Sequence, residues 1–520
     1  MKMSKTRIQH YPNNVYSVDV PSDPSAELAN VEAEVGRVTV VLAGLLTRVN
    51  YLKAQINVSK SSFLRVLPSE IIAEIFTLCL DIPGPDEEPE MVDNTVPLKL
   101  GAVCNAFRTI AWSTPRLWAT VVLDIRSSWK IATQAALLSD WLSRSGHLPL
   151  SIWLNSSDEV HWTVTHPELI FKVLNVFSNR WKYVDIRLPS SCYLYLPSLD
   201  HSLPILESLT LKPPGGQNDR SHRVEMCKAP NLKSITLQCL YLRSITFAWH
   251  LLTVLYLGSF YIDESLEIFR QAFNLMELDI RHILGGDDNH SLPSDPIVMS
   301  SLSSLTFVND KGTDLSTMLD NMTLPALRRV SFSADNVNTY APCLSLTRVI
   351  QRSLCPLESL SLKRCSVHDF GFRTLLSHIP SVKELCLEMY DTTTYTSEWD
   401  IAPLTNNLLQ SLDPSFARAN GLNCLLPNLE ILTYTGLQKF DWLQMLRMVE
   451  SRTVEISTAG SSSTAVIRSV DSVSTSVRLR EVSLFLSLST KEEVFALTPM
   501  EPPSVQDTGL KWRLETIVKE

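Results

Sequence analysis

Two clusters in the chain hold residue types that could bind a metal or move a proton. Cys365 and His368 stand at C-x-x-H spacing, and Asp287, Asp288 and His290 crowd one stretch, GGDDNHSLPSDP, between residues 285 and 296. A zinc site needs about four ligands, and the ten cysteines are otherwise scattered with no C-x-x-C pair. Cys239, Cys365 and Cys386 fall in or beside apolar phrases, where a free thiol behaves as a small hydrophobe, so core packing is the reading for them. Clustered Asp, Asn and Gly are ordinary turn formers, and the acidic cluster reads as a connector. The chain has no G-x-G-x-x-G, P-loop, H-E-x-x-H or G-x-S-x-G motif, and its 16 glycines in 520 residues leave little for phosphate-cradling loops. Local motifs are silent about sites assembled from distant residues. The expectation is nonetheless a protein that is not an enzyme and uses neither cofactor nor metal.

The chemistry that remains is recognition, and it is carried by a repeated phrase. L-x-x-L-x-L, allowing other large apolar residues, recurs at Leu206, Leu209, Leu211; Leu232, Ile235, Leu237; Leu252, Leu255, Leu257; and Leu275, Leu278, Ile280. It continues at Leu302, Leu305, Phe307; Leu327, Val330, Phe332; Leu357, Leu360, Leu362; Val382, Leu385, Leu387; Leu429, Leu432, Tyr434; and, more loosely, Leu479, Val482, Leu484. Trp181, Val184 and Ile186 form an earlier, degenerate copy. Residues two apart on a strand share a face, so the interleaved positions must look the other way. Those are mostly Ser and Thr with mixed charges, and they do not gather the several Arg that a phosphate-reading surface needs. Tyr256, Arg281 and Arg329 are the expected target-binding anchors, because Tyr and Arg dominate binding hot spots. The expected target is an unmodified protein whose identity the residues do not reveal.

The repeat also dictates the elements that hold this face. Val184, Leu209, Ile235, Leu255 and Leu278 follow one another at steps of 25, 26, 20 and 23 residues, inside the leucine-rich-repeat period. The later steps from Leu385 to Leu432 and on to Val482, 47 and 50 residues, contain insertions, one of them the Ser/Thr-rich stretch 451–476, read as a long loop. The fullest copy places Leu357, Leu360, Leu362, Cys365 and Val367 on every position of the template, with Phe370, Phe372, Leu375, Leu376 and Ile379 returning as a helix before Pro380. One such unit cannot cover its own apolar face, but stacked copies can. The fold class expected is α/β: an N-terminal helix and a small helical module, then a leucine-rich-repeat solenoid over residues 124–520, with a parallel sheet on the concave side and helices outside.

Bulk properties bound the partners. A net charge of −9, with no local gathering of Lys and Arg, argues against a nucleic-acid binder. The N-terminus MKMSKTRIQHYPNN lacks an apolar signal region, residues 1–23 are expected to be disordered, and the apolar run Val38–Leu46 is too short to cross a bilayer. No membrane partner is expected, and the localisation expected is cytoplasmic, nuclear or both.

Residues 24–59 follow a second rhythm. Leu28, Val31, Val35, Val38, Leu42, Leu45, Val49, Leu52 and Ile56 alternate steps of three and four, the seam of a coiled coil. Gly36 and Gly44 weaken it as a freestanding rod, and packing within the chain is expected over dimerisation.

Between helix and repeats, LPSEIIAEIF (67–76) opens with Pro68 at a position that costs no hydrogen bond, followed by Ile71, Ile72, Ile75, Phe76 and Cys79 on one face. PLKLGAVCNAFRTIAWSTPRLW (97–118) sets Leu100, Val103, Cys104, Phe107 and Ala111 on one stripe of a second short helix, and Pro115 stops it before Trp118. Such short helices need a partner. The ordered set LPSEII, VCNAF and LW resembles the F-box, and the combination with repeats resembles fungal, basidiomycete-type F-box proteins. That resemblance implies a module over 62–123 that docks on the Skp-family adaptor of a cullin-RING (SCF-type) ubiquitin ligase, through Leu67, Pro68, Ile71, Ile75, Phe76, Val103, Cys104, Phe107 and Trp118. The acidic, proline-rich linker DIPGPDEEPEMVDNTV is longer than the family's compact motif. The implied function is a substrate-recognition adaptor. A repeat scaffold without a ligase, and an enzyme with a dispersed site, are the alternatives.

Overall fold

Paired apolar residues two apart on successive strands can be covered only if each strand is laid beside the last, and among the described residues the chain does this thirteen times. A computed structural model describes residues 23–60, 66–80, 95–125, 130–156, 167–197, 202–214, 224–226, 228–286, 290–309, 312–334, 339–389, 404–453, 478–488 and 510–518. Residues 1–22 of the N-terminal stretch expected to be disordered, the linker 81–94, Asp287 and Asp288, and residues 454–476 of the Ser/Thr-rich stretch lie outside them. The chain divides into two units, with the boundary between Leu117 and Trp118.

The first unit contains α1 (Pro24–Lys60), α2 (Ser69–Leu78), α3 (Val96–Val103) and α4 (Asn105–Trp112). The stripe expected to form one second helix is broken at Cys104, whose extended backbone (φ −159°, ψ 167°) ends α3 and starts α4. The Phe107 N–H donates to Cys104 Sγ at 3.4 Å, so the thiol caps the new helix. Gly101 lets the two helices meet: a Cβ there would lie 2.1 Å from the Trp112 ring.

α1 departs from expectation in two ways. Its seam is exposed: Leu28 is 59% exposed, Leu45 59% and Ile56 49%, and every residue from 24 to 56 is exposed except half-buried Ala54. The apolar run is also drawn into a helix long and apolar enough, over Pro24–Ile56, to cross a membrane by length and composition alone, a test that buried core helices also pass.

The second unit is built on the strands β1 (Thr120–Asp124), β2 (Leu150–Asn155), β3 (Trp181–Arg187), β4 (Ser208–Leu211), β5 (Ser234–Gln238), β6 (Val254–Gly258), β7 (Glu277–Arg281), β8 (Ser304–Val308), β9 (Arg329–Ser333), β10 (Ser359–Lys363), β11 (Glu384–Glu388), β12 (Ile431–Leu437), β13 (Glu481–Leu488) and β14 (Lys511–Val518). They form one open sheet in chain order, every neighbouring pair parallel. Parallel neighbours require a crossover. The crossovers that carry α5 (Ile131–Arg144), α6 (Glu168–Val176), α7 (Ile262–Gln271), α8 (Ser316–Asp320), α9 (Cys343–Ser353), α10 (Asp369–Ser377), α11 (Asn406–Leu412), α12 (Pro414–Ala419) and α13 (Trp442–Thr453) help to cover the apolar face. The shortest, from β5 to β6, makes do with single 3₁₀ turns and a three-residue strand. The result is a solenoid-like α/β fold that starts at Thr120, ahead of the expected boundary at 124.

A turn repeats along it. Cys239, Ser259, His282 and Arg364 each follow a strand directly, each has positive φ, and each N–H donates to a carbonyl of the next strand at 2.5–2.9 Å. Another positive-φ residue, Leu354, caps α9 (φ 51°, ψ 36°) with 87% of its surface exposed. A side chain there costs backbone strain and contributes no packing, so Leu354→Gly should stabilise the fold by about 1 kcal/mol. Leu362, fully buried in β10, is the opposite case. Leu362→Ala should cost about 2–5 kcal/mol. Urea midpoints at unchanged slope read both.

Candidate functional site

Helix α2 divides its apolar residues between two sides. Ile72 and Phe76, one turn apart, are 1% and 2% exposed, and Phe76 meets Phe107 edge-on at 4.9 Å between ring centroids. Ile71 and Ile75, displaced by one residue around the helix, remain 49% and 36% exposed, and Val103 is 64% exposed. Pro68 is exposed, while Leu67, Cys104 and Phe107 are half-buried. Phe76 is therefore a core residue of this unit and offers no surface to a partner. Trp118 is likewise removed from the docking set: it is fully buried in the second unit, edge-on to Trp141 at 4.7 Å and covered by the Arg144 guanidinium. Its indole closes the first crossover.

The half-exposed face of the sheet presents the interleaved residues in rows. The in-register row through the middle of the strands runs Asp185, Thr210, Thr236, Tyr256, Asp279, Thr306, Ser331, Ser361, Cys386, Thr433 and Ser483. Tyr256, half-buried on β6, stands next to Asp279 on β7. Arg281 folds back on that same Asp279, with Nε at 3.0 Å from Oδ1 and Nη2 at 2.8 Å from Oδ2. Arg329 reaches across Ser304 to Glu277 at 3.9 Å. The expected anchors are thus gathered within four neighbouring strands, but both guanidinium groups are held by carboxylates of their own face. A bound partner must share or replace those contacts.

Two features of this face escaped the sequence reading. Asp-x-Arg occurs twice in the same place, because Arg187 pairs with Asp185 on β3 as Arg281 does with Asp279 on β7. Burial pushes the Asp185 carboxyl up, and Arg187 opposes that shift. The tell-tale was the repeated phrase DIR at 185–187 and 279–281. At the leading end of the strands, charges also alternate: Arg328 binds Glu358 at 2.8 Å, Lys383 binds the same Glu358 at 3.6 Å, and Arg480 binds Glu430 at 3.2 Å. These exposed pairs set register and charge pattern more than stability, being worth roughly 0–1 kcal/mol each.

A cavity of about 560 Å³ opens at the other end of β8, β9 and β10. Asn309, Asp314, Thr339, Tyr340, His368 and Phe370 line it, and the Tyr340 and His368 rings stack at 4.2 Å, nearly parallel. Cys343 also reaches it, but burial pushes that thiol up to about 12, so it is a protonated hydrophobe at neutral pH rather than a nucleophile. Cys365 is 4% exposed and its thiol is raised further, by burial first and then by Cys343. His368 is stacked on Tyr340, and no group of three or more metal-binding side chains occurs among the described residues. The His290 backbone N–H donates to buried Asp263 at 3.0 Å.

No family model matches the chain, and no curated protein matches it.

Thiol labelling checks the burial. Alkylation at pH 8, mapped by mass spectrometry, should modify exposed Cys79 in the native protein and reach Cys343 and Cys365 only after urea. A thiol raised in the fold contributes stability that is complete below its ordinary value. That contribution should be lost as pH climbs from 9.0 towards about 12 for Cys343.

Proposed function

We propose that the chain is the target-holding adaptor of an SCF-type ubiquitin ligase, with α2 to α4 acting as an F-box on a Skp-family protein and the solenoid-like sheet acting as leucine-rich repeats that hold the target. The observation that carries the first half is the division of α2: a helix of ten residues spends Ile72 and Phe76 on its own core and leaves Ile71 and Ile75 exposed, with Val103 exposed on α3. Apolar side chains left out on so short a module are surplus to its own packing and suit a protein partner. The reading of the repeats is supported by Leu357, Leu360, Leu362, Cys365 and Val367, all buried in template order. The target would lie on the half-exposed sheet face, meeting Tyr256 and the paired Arg281 and Arg329 by hydrogen bonds and shape. The cytoplasm or nucleus is where such a ligase would work.

Co-purification of the full chain with a Skp-family adaptor tests it. Ile71→Glu with Ile75→Glu should weaken capture by about a hundredfold or more, with the thermal transition unchanged, because neither side chain belongs to the core. Full-yield capture by that double variant rejects the docking face. Phe76→Ala is the unfolding control.

A further inference from the structure

The surface that the proposed function leaves unused is α1. Thirty-seven residues long and spanning about 55 Å, it exposes Leu28, Val31, Val35, Val38, Leu42, Leu45, Val49, Leu52 and Ile56 along one seam. It also carries Gly36 and Gly44, where an added Cβ would meet nothing within 4 Å. Intrinsic helix propensity does not sustain such a helix in water without burial of its apolar stripe.

The charges say what buries it. With Leu28 at heptad position a, the charged residues of this helix are Glu27, Glu32, Glu34, Arg48, Lys53 and Lys60 at the flanking e and g positions, and Arg37 at an outer one. The flanking acids all lie in the first half of the helix and the flanking bases all lie in the second. In a parallel pair, where g faces e five residues on, Glu27 would meet Glu32 and Arg48 would meet Lys53 of the second copy. Antiparallel, Glu32 and Glu34 come beside Lys53 and Arg48 of the second copy, and the helix dipoles oppose as well. We infer that α1 docks on α1 of a second copy of this chain as an antiparallel two-stranded coiled coil.

A bilayer suits the same helix less well. Arg37 and Arg48 bracket only ten residues, and every window of about 20 residues needed to span hydrocarbon holds at least two charges. Pairing also explains why the charges flank the seam rather than cluster at the helix ends. Two copies joined this way would present two target faces, raising capture of a multivalent target through effective concentration.

Sedimentation of the full-length protein gives the test. A dimer is expected, and Glu32→Lys should raise its dissociation constant roughly tenfold, since two symmetry-related attractions become repulsions. The fourfold inversion Glu32→Lys, Glu34→Lys, Arg48→Glu, Lys53→Glu should restore it, and Gly36→Ala with Gly44→Ala should tighten it. Tightening by Glu32→Lys alone would mean a parallel pair and overturn the proposal. A monomer at tens of micromolar overturns it too, and flotation of that monomer with phosphatidylcholine vesicles would assign the face to lipid.

Discussion

From β3 to β13 each strand of the long sheet buries side chains two residues apart, and they are covered only when the next strand lies alongside. The rows are continuous. Leu209, Ile235, Leu255, Leu278, Leu305, Val330, Leu360, Leu385, Leu432 and Val482 stand in register, and Leu211, Leu237, Leu257, Ile280, Phe307, Phe332, Leu362, Leu387, Tyr434 and Leu484 form the second row. A slip by one residue would turn one whole strand's pair out to solvent and its polar partners in. Register is therefore held by apolar burial, and the crossovers are free to vary, from 3₁₀ turns to helices of fourteen residues such as α5.

Because the inward positions are occupied this way, the outward ones are free to carry recognition chemistry without cost to the core. They use that freedom mostly for small hydroxyl residues, which leave room for long side chains to cross a strand, as Arg329 does over Ser304 to Glu277. The Asp-x-Arg pairs keep their guanidinium groups close to the sheet. Such a surface is already hydrogen-bonded, which lowers the ordering cost of binding but requires any partner to match existing pairs.

The helical unit works from the opposite economy. It has too few residues to bury all its apolar side chains, so Ile72 and Phe76 are buried, with Phe107 against Phe76, while Ile71, Ile75 and Val103 stay out. α1 takes this further, with every residue of its seam from Leu28 to Ile56 exposed. Surplus apolar surface is the ground that both proposals share, the adaptor for the short helices and the second copy for α1.

Alternation with period two is a local property, which is why the strands from β3 to β13 and the facing of their side chains were readable from the L-x-x-L-x-L phrases alone. The heptad rhythm of residues 24–59 was readable for the same reason, as was the helix from residue 69. The sequence did not disclose β1, β2 or β14, whose phrases TVVLD, LSIWLN and KWRLETIV depart from the repeat and become strands by pairing with a neighbour. Nor could it tell that Cys104 splits a helix or that Phe76 and Trp118 are core. Those outcomes depend on which distant side chain arrives: Phe107 on Phe76, Trp141 on Trp118, Trp112 against Gly101. Spacing along the chain determines which way a residue points. Only the tertiary structure decides whether something is there to meet it, because burial is a property of neighbours that the chain brings together after folding.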